Sequence, residues 1–174
     1  LKLGSMFLRG GDPTPVLEEA VDAAIAIAGA DFGNIQLLDE ASGDLVIVAH
    51  QGLPEWWVEF WRRTRDGHGP CGAALSRGER VLVEDVQHNG GFSDSRELDS
   101  MRQAGIRAVQ STPLVGRTGK PIGMLSTHYR STGRPDEEVL RNIDLLARQL
   151  TDILEHARFE QDLKESERRF RALM

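Results

Sequence analysis

The stretch Ala108-Val-Gln-Ser-Thr-Pro-Leu-Val-Gly-Arg-Thr-Gly-Lys-Pro-Ile-Gly-Met-Leu-Ser-Thr-His-Tyr129 reads as two extended segments joined by a tight turn of Gly, Lys and Pro. Side chains alternate along a strand. Met124, Ser126 and His128 therefore share one face of the second segment, and Leu125, Thr127 and Tyr129 share the other. On the first segment Val109, Ser111 and Pro113 fall together. Alternation thus gathers a histidine and polar groups on one wall of the hairpin, whatever that wall meets.

Working outward, the residues after the hairpin change character. Positions 131–134 form a linker, and 135–174 read as one helix roughly 60 Å long at 1.5 Å per residue. Ile143, Ala147, Leu150, Leu154 and Ala157 recur in steps of four and three, a coiled-coil seam. The register then changes to Phe159, Leu163, Ser166, Phe170 and Leu173. Such a seam predicts a parallel homodimer, because half-exposed Leu and Ile would otherwise meet water.

Before the hairpin, a helix is expected from Thr14, with Pro15 in its first turn and Gly29 as its stop. Strands at 33–38 and 45–50 flank a hairpin connection. A short helix begins near Pro54 and ends before Asp66-Gly67, and Pro70 opens another that ends at Gly78. Positions 80–86 read as a valine-rich strand and 88–93 as a loop. Asp94 and Glu97 have capping-box spacing for a helix that turns Leu98 and Met101 inward. Strands joined by hairpins predict an α+β fold: a central antiparallel sheet of five to six strands with helices packed on it.

Composition bounds the function. The chain has 174 residues, 40 % hydrophobic and 28 % charged, which suits one globular domain. A net charge of −6 argues against nonspecific binding to nucleic acid or anionic membranes. No apolar run is long enough to span a bilayer. Cys71 is the single cysteine; it excludes an internal disulfide framework and fits a reducing, cytoplasmic setting. Positions 1–13 read as a leader, partly cloning-derived; 14–134 as the core domain; 135–174 as the helix leading out of it.

Three segments resemble the GAF domains, small-molecule sensor modules of signalling proteins. They are Ala30-Asp-Phe-Gly-Asn-Ile-Gln-Leu-Leu-Asp39, the glycine-patterned run from Gly67 through Val86, and the final hairpin. The resemblance covers about 14–156, and the chain also looks like the subgroup found in bacterial sensor histidine kinases. It implies terminal helices on one face of the sheet and a ligand pocket on the other. The tail Glu165-Ser-Glu-Arg-Arg-Phe-Arg-Ala-Leu-Met174 resembles the start of a PAS domain, which implies a PAS or kinase region further along the same chain.

By that resemblance Ser111, Ser126 and His128 line the pocket, with Met124, Val109, Trp57 and Cys71 nearby; Leu125 and Tyr129 meet the helices. The physical cost agrees, since each buried polar group left unmet costs about 1–3 kcal/mol and a cavity meets it more easily than packed helices do. Glu55-Trp-Trp-Val-Glu-Phe-Trp61 puts Trp57, Phe60 and Trp61 on one helical face, as a lid over a ligand or a plug for the core. Cys71 at a helix start reads either as a lowered-pKa thiolate assisted by His68 or as an inert small residue.

Other chemistries find little support. His68, Cys71, His88 and His128 match no zinc spacing. Cyclic-nucleotide-binding GAF domains carry an Asn-Lys pair, absent here, and Phe92 is followed by Arg96 and Glu97 instead of an Asp-Glu pair. Methionine sulfoxide reduction in the family uses several cysteines. His156 lacks the following proline of a phosphoacceptor box. The expectation is a noncatalytic sensory and dimerisation module for an unknown small molecule, its cofactor unknown. The alternatives are a structural dimerisation domain, or a haem or redox sensor using His128 or Cys71.

Overall fold

The computed structural model describes residues 12–88, 92 and 95–174. Most of the expected leader, most of the 88–93 loop and the Asp94 cap lie outside the described residues. In chain order the elements are α1 (Thr14–Ala28), β1 (Phe32–Leu38), β2 (Leu45–Gln51), α2 (Glu55–Trp61), β3 (Arg63–Thr64), α3 (Gly69–Arg77), β4 (Val81–Val83), α4 (Ser95–Ala104), β5 (Ala108–Val115), β6 (Pro121–Tyr129) and α5 (Glu137–Ala172). The six strands form one antiparallel sheet in the order β3-β2-β1-β6-β5-β4.

Local chemistry sets several boundaries. α1 carries Pro15 in its first turn, and Gly29 closes it at φ 59°, a left-handed conformation that a Cβ would disfavour. α5 starts at an extended Asp136, whose carboxylate accepts from Val139 N at 2.9 Å. Two boundaries differ from the sequence reading. α2 ends at Trp61, and Arg63–Thr64 then pairs with Val46 and Leu45 as an edge strand. The Arg63 guanidinium donates to Asp39 at 3.1 Å across that edge. β4 is only Val81–Val83; beyond it the register shifts, and Val86 N bonds Arg107 O.

The sheet is covered on both sides. On one, Leu17, Val21 and Ala24 of α1 and Ile143, Leu146 and Leu150 of α5 pack over Ile35, Leu114 and Leu125. On the other, α2 and α4 bring Trp57, Val58, Trp61 and Met101 over Phe32, Ile47 and Val109. α3 closes the same side, with Ala74 against Leu45 and Met124. Gly72 is what lets α3 sit there: a Cβ at this position would lie 2.4 Å from Arg65 O. Trp57 and Trp61 are buried as expected, but Phe60 is 45 % exposed and Val58 takes the third inward position. At about 100° per residue Trp57, Trp61 and Val58 span one buried arc, and Phe60 falls about 60° outside it on the solvent side.

The long helix also departs from its reading. Ile143, Ala147 and Leu150 are buried against this chain's own α1 and sheet. The first half of the seam is therefore consumed within the protomer. Besides Leu145, the apolar residues that stay exposed on this helix and at its end lie further along, among them Phe159, Leu163, Phe170 and Leu173.

Candidate functional site

Phe32, Asn34 and Gln36 alternate along β1 and face the same side as His128 of β6. Phe32 lies opposite His128, Asn34 opposite Ser126 and Gln36 opposite Met124. Above them α2 lays its tryptophans. The Trp57 and His128 rings meet edge to face, with centroids 5.3 Å apart and planes at 76°. Trp61 lies 5.9 Å from Trp57, and its Nε1–H donates to Ser100 Oγ of α4 at 2.9 Å.

These groups surround a small cavity of about 10 Å³, bounded by Asn34, Gln36, Trp57 and His128. Trp61, Pro70, Cys71, Met101 and Val109 complete its wall. A single water requires roughly 10–15 Å³ of such space. Five buried polar atoms on the wall have no hydrogen-bond partner: Asn34 Oδ1, Gln36 Oε1, Trp57 Nε1 and both ring nitrogens of His128. Buried polar atoms in folded proteins are overwhelmingly paired, so five on one cavity form an unusual concentration. Burial pushes the His128 pKa down to about 3, so the ring is neutral at pH 7 and presents one donor and one acceptor.

The other residues singled out from sequence sit differently. Val109, Trp57, Cys71 and His128 line the cavity; Ser111, Ser126 and Met124 do not. The two serine hydroxyls are 2.9 Å apart, and Cys71 Sγ covers them at 3.4 Å from Ser111 Oγ and 3.2 Å from Ser126 Oγ. Met124 is sealed against Leu45 and Ala74. Burial pushes the Cys71 thiol up more than the two serines lower it, which disfavours a resting thiolate. His68 turns away, with Nδ1 3.8 Å from Glu97 Oε1. Leu125 lies under the terminal helices, and Tyr129 OH, on the same face, is 3.0 Å from Thr127 Oγ1.

Sequence reasoning missed Asn34 and Gln36. They alternate with Ile35 and Leu37, a pattern that ordinarily marks a solvent face. It also missed the polar ladder beneath the helices. Gln110 Nε2 donates to Thr127 Oγ1 at 3.3 Å, and Thr112 Oγ1 donates to Gln110 Oε1. Arg80 joins this ladder to α5: its Nε donates to Thr112 Oγ1, and Nη2 donates to Leu140 O and Asp144 Oδ1.

A larger open groove of about 570 Å³ lies where α5 leaves the sheet, between Leu37, Ile122, Leu154 and Phe159. Its lining is largely open to solvent, so polar side chains such as Arg117 and Asp162 are met by water, and Arg158 pairs with Glu40. The unmet hydrogen-bonding capacity lies at the smaller cavity, which is why that cavity is the candidate site. Among the described residues no group of three His, Cys, Asp or Glu side chains is placed to hold a metal ion. No helix among them is long and apolar enough to cross a membrane.

An antiparallel six-stranded sheet with terminal helices on one face and a small, helix-covered cavity on the other is the architecture of a sensor module. Residues 11–155 match the GAF domain family, and the chain belongs to it. It is 30 % identical over 141 residues to the methyl sulfide methyltransferase-associated sensor of Methanosarcina acetivorans, a match that spans 80 % of this chain and 14 % of that sensor. A domain assigned to a two-component sensor histidine kinase of Sinorhizobium meliloti superposes with a TM-score of 0.74 at 28 % identity, over 89 % of this chain and 99 % of that one. The free methionine-R-sulfoxide reductase of Neisseria meningitidis shares the fold at 20 % identity, with a TM-score of 0.67 over 90 % of this chain and 87 % of the reductase. The family is generally sensory, and the fold is shared with an enzyme, this reductase.

Proposed function

We propose that this domain is a noncatalytic small-molecule sensor of a larger cytoplasmic signalling protein. The five unpartnered polar atoms around His128 and Trp57 carry the reading. A ligand that supplies their hydrogen bonds recovers about 1–3 kcal/mol for each buried group otherwise left unmet. It has to move α2, α3 or α4 to fit, because the cavity holds about 10 Å³. α3 spans the distance to the output. Its first turn carries Pro70 and Cys71 of the cavity wall, and just past its end Arg80 bonds to Leu140 O and Asp144 of α5. A ligand that prefers one position of α3 thereby biases α5.

The exposed Phe159, Leu163, Phe170 and Leu173 suit a parallel homodimeric coiled coil that passes this bias to a PAS or kinase region in the same chain. No turnover by the domain itself is expected. Cys71 is a poor redox centre, as a high-pKa thiol in contact with Ser111 and Ser126.

The small cavity volume favours a second reading, a structural dimerisation domain whose core is merely imperfectly satisfied. Denaturing extraction and mass spectrometry of the purified domain, alongside the Trp57→Phe/His128→Phe variant, separates the two. A stoichiometric small molecule in the parent protein and none in the variant supports the sensor. Identical extracts, with the variant folded and more stable than the parent, support the structural reading.

A further inference from the structure

The proposed ligand site carries a hydrogen-bonding pattern that restricts what can fill it. Asn34 and Gln36 lie two residues apart on β1, so their side chains leave the strand about 7 Å apart on one face. The Gln36 amide is held by its Nε2 donating to Thr64 Oγ1 at 3.2 Å, and its Oε1 is a buried acceptor without a partner. Asn34 Oδ1 is a second acceptor and Trp57 Nε1–H a donor. Neutral His128 adds one of each.

Several occupants fail this pattern. One water makes at most about four hydrogen bonds and leaves part of the set unmet. An ionised carboxylate or phosphate only accepts. It serves Trp57 and one nitrogen of His128, and the amides of Asn34 and Gln36 can turn an N–H toward it, but its full charge is buried with no cation beside it. No Lys or Arg lines the cavity among the described residues. An ammonium group only donates; it leaves Trp57 unmet and finds no Asp or Glu on the described wall. The remaining wall is flat and apolar: Trp57, Trp61, Met101 and Val109.

Resting on the ligand-site reading above, we infer that the site takes a compact, uncharged, planar ligand with an amide- or lactam-type edge that both donates and accepts, and that it discriminates against carboxylates and phosphates. The ligand's N–H groups meet Asn34 Oδ1 and Gln36 Oε1. Its carbonyl or ring nitrogen takes the Trp57 N–H, and His128 adapts by tautomer to whichever group faces it.

Two isosteric pairs test this: nicotinamide against nicotinate, and uracil against orotate. Each is titrated into the nitrogen-15-labelled domain at pH 7 while the Trp57 indole N–H resonance is followed. That resonance is assigned by its loss in Trp57→Phe, and by elimination from Trp56→Phe and Trp61→Phe should the first variant fail to fold. The expected result is an indole shift with at least one neutral member, at an affinity about tenfold or more above that of its acid. An acid that moves the same resonance as tightly as its neutral partner overturns the ligand class and leaves the site standing. If no probe moves the Trp57 indole at millimolar concentration, both the class and the site fall.

Discussion

Acidification should expose the burial of His128 directly. The ring is 1 % exposed and makes no hydrogen bond, and its surroundings are Trp57, Phe32 and Val109, none of them charged. Its pKa falls from 6.5 to about 3 on folding. Below pH 6.5 the unfolded chain therefore takes up a proton that the folded chain refuses. The stability that the neutral ring allows is complete above that pH and declines as pH falls toward 3. Each pH unit in that window costs about 1.4 kcal/mol, so this one residue removes about 2 kcal/mol at pH 5 and about 3 kcal/mol at pH 4. Urea denaturation of the parent and of His128→Gln at pH 7 and pH 5 isolates the effect, because the other titrating groups are common to both. The parent should lose about 2 kcal/mol more than the variant between the two pH values. Equal losses would mean that the folded ring accepts a proton near its ordinary pKa, and the desolvated site would then be wrong.

Four further outcomes follow from the packing and from the exposed stretch of α5. Gly72→Ala places a methyl 2.4 Å from Arg65 O, so α3 must lift from the turn beneath it; a loss of about 2 kcal/mol or more is expected in thermal or urea unfolding. Cys71 should react with iodoacetamide at pH 7.5 far more slowly than the same thiol in urea-unfolded chain, measured by mass spectrometry, because burial keeps it protonated. Leu150→Ala should cost about 2–5 kcal/mol of stability without changing the oligomeric state, since Leu150 is spent inside the protomer. Phe159→Glu/Phe170→Glu, by contrast, should lower the mass seen by light scattering and leave unfolding nearly unchanged.

Much of this architecture was legible in local pattern. The alternation in the 121–129 segment separated Leu125 from His128, and the sheet does put the first under the terminal helices and the second beneath Trp57. Pro15, Gly29 and Gly78 marked helix ends because their constraints are local: a fixed φ in one case, tolerance of a positive φ in the others. Residues whose roles depend on distant neighbours were not legible. Asn34 and Gln36 look solvated until β1 is known to lie between β2 and β6, roofed on both faces. Ser111 and Ser126 look like cavity wall until Cys71, dozens of residues away in sequence, is seen to cover them. The heptad seam from Ile143 to Leu150 is the same sequence whether it meets a second chain or its own sheet. Periodicity fixes which side chains share a face, since that follows from backbone geometry within a few residues. What each face meets depends on contacts between segments far apart in the chain, and only the assembled tertiary structure decides it.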